Sequence, residues 1–273
     1  MMTLDGIMVY PVKSLRGIPR ERARITGGRL EGDREWLVAD REGRFMHQRD
    51  YPQMATLRAE PGSGGITIEA PGRSRLEVQR PAGGVAIEYL RLWRRLAPVR
   101  PAGPDADDWI TAALGVPARL LAFAADAQPL EAPSWEMDAS LQDATPFHLT
   151  SRDSLDDLNR RMGAPLPMNR FRPNLVVRGA PPYQEDDWRR IRIGEARFRW
   201  IKPCTRCKMT MTDQETGERP SLEPLRTLAT YRRLGPEVTF GHYLAAETPS
   251  ALLHVGQEVS VLAALSKTDP ALS

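Results

Sequence analysis

The chain of 273 residues is poor in cysteine, lysine and histidine: it has two, four and four of them. Two cysteines cannot make the disulfide framework of a small secreted protein, and a chain of this length buries enough core to need none. The opening MMTLDGIMVYPVKSLRG lacks the apolar stretch of a signal peptide. No run of about 18 apolar residues occurs, which speaks against a membrane span. These absences point to a reducing, cytoplasmic setting, where a close cysteine pair is chemical rather than structural. The formal charge is +3, with acidic and basic residues mixed along the whole chain, so nucleic acid is not indicated. Internal repeats and low-complexity segments are also missing.

What is there begins with short alternating segments from Met1 to about Leu96: LDGIMVYPV, EWLVADREGRFM, GGITIEA, SRLEVQ and GVAIEYLRLW. The turns DREGR and PGSGG between them predict hairpins and a strand-rich, barrel-like half. PDADDWITAAL predicts a helix over Pro104–Leu114, with acidic residues at its start and Gly115 as its stop. The Pro-rich stretch Asp126–Ala139 reads as a linker. In the second half Ser151 is placed to cap a helix carrying Leu155, Leu158 and Met162, and NLVVRG, IRIGEARFRWI and KMTMTD read as strands. EPLRTLATYRRL predicts a helix with Leu225, Leu228, Tyr231 and Leu234 on one face. HVGQEVSVLAAL closes the fold as a strand, and residues beyond Ser266 read as a tail.

Both cysteines lie in KPCTRCK, as Cys204 and Cys207. A zinc half-site needs two more ligands, but there is no second cysteine pair, and His47, His148, His242 and His254 show no paired spacing. A thioredoxin-like dithiol needs its first thiol at a helix N-terminus, whereas the residues that follow here alternate like a strand. Simple burial fits poorly with Lys202, Arg206 and Lys208 around the pair, charge that favours thiolate. A soft thiolate on an electropositive loop suits a metal that brings its own anionic organic scaffold, and spacing alone does not choose between the two sulfurs.

Seven segments in one order, YPVKSLRGIP, GDREWLVAD with FMHQR, TPFHLTSRDSLDDLNRR, FRPNLVVRG, EDDWRRIRIG, KPCTRCKMTMTDQETGE and EPLRTLATYR, resemble the MOSC proteins that carry an N-terminal β-barrel domain. This is the family of the mitochondrial amidoxime-reducing component and its bacterial relatives. The resemblance runs from about residue 3 to 263. It implies a mixed α+β, β-rich fold, with an N-terminal β-barrel-like domain and connector helix over 1–122, a MOSC β-barrel domain with flanking helices over 123–265, and a tail over 266–273. Motif residues of both halves are expected to meet in one cleft.

The resemblance further implies a molybdenum cofactor, Mo-molybdopterin, with Cys207 as the protein's ligand to the metal. Cofactor contacts carry over by motif to Lys13 and Ser14 in VKS, Arg34 in GDREW, Thr145 in ATPF, Arg172 and Asn174 in FRPN, Thr205 and Arg206 beside the ligand, and Tyr243 in FGHY. Relatives often have Ser at position 145 and Asn or Gln at position 242, where this chain has Thr and His. Arg forks, a Lys point charge and hydroxyl or amide donors suit a phosphate and an electron-rich pterin. Each also has a plainer reading: Lys13, Arg34 and Arg172 as surface charges, Asn174 or Thr145 as turn caps, His148 as a core histidine. Asp143 is a candidate for proton delivery. The implied activity is reduction of N-hydroxylated compounds, such as hydroxylamines, amidoximes and N-hydroxylated bases, to amines or amidines. Some relatives carry a fused ferredoxin-type domain. None follows here, so electrons are expected from a separate flavin, haem or iron-sulfur reductase. The alternative is a cofactor carrier or sulfur-handling module, because MOSC domains are also fused to molybdenum cofactor sulfurases.

Overall fold

The computed structural model describes residues 1–131 and 140–264. Most of the expected linker over 126–139 and the expected tail lie outside them. The fold is mixed α+β and strand-rich, with three helices among the described residues. None of these helices is long and apolar enough to cross a membrane.

A nine-stranded sheet dominates the second half. Its strands run in the order Val259–Ala264, Trp188–Ile193, Ala196–Thr205, Glu237–Ala246, Phe147–Ser151, Leu175–Arg178, Thr3–Val9 and Ile18–Arg20, with Arg233–Leu234 paired beside Glu237–Ala246. Phe147–Ser151 and Leu175–Arg178 are parallel. The crossover that a parallel pair demands contains the helix Arg152–Met162. Ser151 caps that helix as expected, its Oγ accepting the Ser154 N–H at 3.4 Å, and Gly163 ends it in the left-handed region at φ 70°. Leu155 and Leu158 form its buried face.

The sheet does not respect the boundary at residue 122. Thr3–Val9 pairs antiparallel with Leu175–Arg178, and Arg22–Thr26 pairs with Ser250–His254. Leu4, Ile7, Ile25 and Leu30 accordingly share one core with Phe147, Phe198 and Leu253. Alternation in TLDGIMV shows that a strand buries one face, but it does not say whose sheet the strand completes.

The remaining first half holds a four-stranded sheet, Trp36–Ala39, Arg119–Phe123, Arg95–Pro101 and Glu88–Leu92, and a three-stranded one, Arg58–Gly62, Gly65–Glu69 and Leu76–Gln79. These surround a core that includes Val12, Trp36, Ile66 and Ile68, closed by Ile110 and Leu114 of the helix Pro104–Leu114. Proline in the first turn and Gly115 at φ 72° bound that helix as expected.

Two expected elements differ. KMTMTD is not a strand: Ala196–Thr205 ends between the two cysteines, and Lys208–Met211 form a 3-10 turn. The Thr210 N–H and hydroxyl both donate to the Cys207 carbonyl at 3.0 Å, a local alternative to a sheet ladder. The helix expected over EPLRTLATYRRL is one turn, Leu225–Leu228. Leu234 instead stands exposed in a hairpin with Glu237.

Because the first strand completes the second half's core, a fragment spanning residues 123–265 should show no cooperative urea transition. In the full chain Leu4→Ala should cost about 2–5 kcal/mol, the usual loss for truncating a fully buried leucine. Equilibrium urea unfolding checks both.

Candidate active site

A cleft with about 580 Å³ of empty space lies between the two halves. Nine of the residues expected to share a site line it: Lys13, Ser14, Arg34, Asp143, Thr145, Arg172, Asn174, Arg206 and Tyr243. Four cations thus face one carboxylate. Lys13 and Arg172 are buried, so the surface-charge reading fails for both.

The backbone is distorted where these cations stand. Ser14, Arg34 and Arg172 have φ of 66°, 50° and 55°, which makes them three of the six non-glycine residues with positive φ among the described residues. Each such position costs on the order of 1–3 kcal/mol and persists only where its surroundings hold it. For Arg34 the hold is Asp33, whose fully buried carboxylate accepts from the Tyr10 N–H at 2.9 Å, from Arg34 Nη1 at 2.6 Å, from Asn174 Nδ2 at 3.1 Å and from Gln142 Nε2 at 3.1 Å. Asn174 Oδ1 accepts from Arg34 Nη1 at 2.9 Å and from the His148 N–H at 3.3 Å, while Nδ2 also donates to the Met8 carbonyl. Its amide is therefore engaged on all sides, and Asn174 orients Arg34.

Among the described residues Arg172 has no carboxylate partner: it donates to Gln214 Oε1 at 3.3 Å and stacks on Tyr10 at 4.3 Å, with Arg34 stacked on the same ring at 4.2 Å. Burial pushes the Arg172 guanidinium down to about 10 and the Tyr10 phenol up to about 12.

Lys13 donates to the Leu141 carbonyl at 2.9 Å and pairs with Asp143, whose Oδ1 also accepts from Trp93 Nε1 at 2.8 Å. Burial pushes the Lys13 ammonium down to about 8, with Asp143 opposing part of that effect. Burial raises Asp143, but the Lys13 charge and hydrogen bond outweigh it and hold the carboxyl well below the usual range. Asp143, with its side chain 43% exposed, bridges Lys13 and the Trp93 indole, a geometry that positions Lys13. His148 is buried and lines the cleft, and burial with the Arg206 charge drives it well below 6.5 into the neutral form. Its Nδ1 faces the Arg172 carbonyl at 3.4 Å. Burial and the neighbouring Cys204 push the Tyr243 phenol well above 10.

The two thiols occupy different settings. Cys204 is buried, with Arg206 Nη1 donating to its Sγ at 2.7 Å, while Arg206 Nη2 donates to the Phe171 carbonyl at 2.8 Å. Cys207 is exposed and begins the turn whose Met209 lines the cleft. Thr205 is exposed, pairs with Thr239 at a strand end and does not line the cleft. His242 also turns away: Trp200 Nε1 donates to its Nδ1 at 2.9 Å, so Nε2 carries the proton donated to Asp186 at 2.7 Å.

Residues 1–117 match the MOSC N-terminal beta barrel domain and residues 136–260 match the MOSC domain. The chain belongs to the MOSC family. This MOSC protein is 31% identical to mitochondrial amidoxime-reducing component 1 of Mus musculus, over 95% of its own length and 82% of that protein. It is 30% identical to the Homo sapiens protein of the same name, over 95% and 83%. It is also 31% identical to the molybdenum cofactor sulfurase of Oryza sativa subsp. japonica, over 89% of this chain and 32% of that much longer protein.

The site fits an anionic, metal-carrying cofactor. Among the described residues Arg172 is a buried cation that makes no salt bridge, Arg206 Nε is buried without a hydrogen-bond partner, and no group of three or more potential metal ligands exists. A metal here would bring most of its ligands with it.

Lys13 should give anion binding a pH dependence. The ammonium is charged below about 8 and loses its proton above it, so affinity for sulfate, whose charge is constant over the range, should fall between pH 7 and 9. Lys13→Met should weaken binding at pH 7 and flatten the profile in calorimetric titrations. The same lowering makes folding stability contributed by Lys13 rise between about 8 and the unfolded value of 10.5, opposite in sign to the binding effect.

Proposed function

We propose that this protein is a molybdenum-cofactor-dependent reductase of N-hydroxylated compounds. The observation that carries the reading is the cleft itself: four cations line it, one of them a buried arginine with no carboxylate partner among the described residues, together with Met209 of the turn that the exposed Cys207 begins. The names of the relatives, amidoxime-reducing component and molybdenum cofactor sulfurase, agree with a molybdenum-cofactor role.

In this reading Arg172, Arg34 and Lys13 hold the anionic end of Mo-molybdopterin, with Ser14 and Thr145 as hydroxyl donors, and Cys207 supplies the protein's thiolate to the metal. The bound group supplies two-electron chemistry at the metal. The chain's own residues fix its place. Asp33 and Asn174 aim Arg34, Asp143 keeps Lys13 charged, and Arg206 braces the loop between the sulfurs through Cys204 and Phe171. Tyr243 and His148 remain neutral and bound the cleft without adding charge. Tyr243 is the remaining expected contact that lines the cleft, whereas Thr205 stands outside it. Reduction consumes two electrons and two protons: the N–O bond breaks, an N–H bond forms, and water leaves. The electrons come from a separate flavin, haem or iron-sulfur protein in the same reducing, cytoplasmic setting.

An exposed Cys207 also suits a second reading, a carrier that passes the cofactor or its sulfur to another protein. The readings part on turnover. A reductase reduces benzamidoxime with an artificial one-electron donor, whereas a carrier restores a cofactor-free recipient enzyme and reduces nothing.

Expressed in a cofactor-competent cell, Cys207→Ser should remove nearly all activity, because a hard hydroxyl replaces a soft sulfur. Cys204→Ser should keep most molybdenum and much activity, since serine can still accept from Arg206. Arg172→Ala should lower molybdenum content without unfolding the chain. Equal losses in both cysteine variants, with a disulfide in the active protein, would establish a dithiol pair instead.

A further inference from the structure

Trp93 occupies a position that hairpins reserve for glycine. Three two-residue hairpin loops, 93–94, 194–195 and 235–236, have a first residue with positive φ and a second without. In two of them that residue is Gly194 or Gly235, at φ 54° and 59°, and in the third it is Trp93 at φ 58°. A bulky residue sits there only at a conformational cost, so its side chain has a reason to be there. Burial is not the reason, because Trp93 is 47% exposed.

The indole is instead fixed at the mouth of the cleft. Its Nε1 donates to Asp143, a cleft-lining residue, at 2.8 Å, its ring makes a T-shaped contact with Phe45 at 5.2 Å between centroids, and Arg49 lies over it at 4.8 Å. The same rim reaches the cysteine turn, where Asp50 faces both His47 at 3.5 Å and Lys208, next to Cys207, at 3.4 Å. The cleft's one lining carboxylate is therefore bonded to a half-exposed indole, which a molecule reaching Asp143 from solvent meets.

We propose that Trp93 is a specificity-determining platform that selects planar, conjugated N-hydroxylated substrates, such as aryl amidoximes, over aliphatic ones. The proposal rests on the reductase reading and names the substrate class of that site. A flat conjugated system gains stacking on the indole, and the carboxylate edge accepts from its amidine N–H groups.

The test measures equilibrium binding of benzamidoxime and acetamidoxime to the cofactor-loaded protein without reductant, by calorimetry, in wild type, Trp93→Ala and Trp93→Phe. The ratio of the two affinities should favour benzamidoxime in wild type, fall roughly tenfold in Trp93→Ala and largely return in Trp93→Phe. An unchanged ratio in Trp93→Ala overturns the platform, as does a loss seen only in turnover driven by a protein electron donor, which would make Trp93 a docking residue. If the ratio shifts as expected but neither compound is reduced by wild type, the platform stands and the reductase reading falls. If both are reduced and the ratio does not shift, the reverse holds.

Discussion

A carboxylate taken fully out of water costs several kcal/mol unless it is paired and hydrogen-bonded. Asp33 meets that condition with donors from four separate stretches of chain: Tyr10, Arg34, Gln142 and Asn174. Each donor belongs to a segment that also lines or backs the cleft, so the pairing that makes Asp33 tolerable also sets the cleft's shape. Arg34 cannot turn away from the cleft without leaving the carboxylate short of a partner. Tyr10 cannot move without losing two stacked guanidiniums and the bond from its hydroxyl to the Pro173 carbonyl.

The same network explains how positive charge is held in place. Two arginines over one tyrosine ring repel each other, and backbone strain at residues 34 and 172 adds to that cost. Sheet packing supplies the compensation. Thr3–Val9 delivers Tyr10 and Lys13 to the edge of the second half, where Leu175–Arg178 delivers Arg172 and Asn174 just before it starts. Pairing these two strands, one from each half of the sequence, brings the cations together, and an anion bound among them would lower the remaining repulsion.

Much of this was legible in the sequence, and the exceptions have physical causes. Helix boundaries at Ser151 and Gly115 follow from capping chemistry that is local by nature. The cleft cations were reached through motif resemblance, since an isolated Lys13 or Arg172 cannot be told from a surface charge by its neighbours. Asp33, Tyr10 and Gln142 were missed because their importance lies in long-range partners, although an acidic residue directly before Arg34 in GDREW was a signal that the arginine is oriented. KMTMT misled because its alternation is that of a strand, while Thr210 supplies a competing bond within one turn. Trp93 was invisible for a related reason: GVAIEYLRLW reads as an apolar run, and only pairing of Leu92 with Arg95 reveals that the tryptophan stands in the turn.

The strand Glu237–Ala246 divides the cleft from the layer that supports it. Successive side chains on a strand point to opposite faces, and here Tyr243 faces the cleft while His242 faces the Trp200 and Asp186 cluster behind it. The partner strand repeats the division, with Lys202 opposite Tyr243 and Pro203 opposite His242. A histidine in place of an amide at position 242 therefore alters the supporting layer and not the lining of the cleft. Its two ring nitrogens are fixed by an indole donor and a carboxylate acceptor, which holds this pair of strands in register just where they lead into Cys204 and Cys207. The cysteine loop thus starts from a braced strand pair and ends in a one-turn helix tied by Thr210. That leaves little backbone freedom for the exposed thiol of Cys207, which suits the proposed role of presenting one sulfur at a constant position.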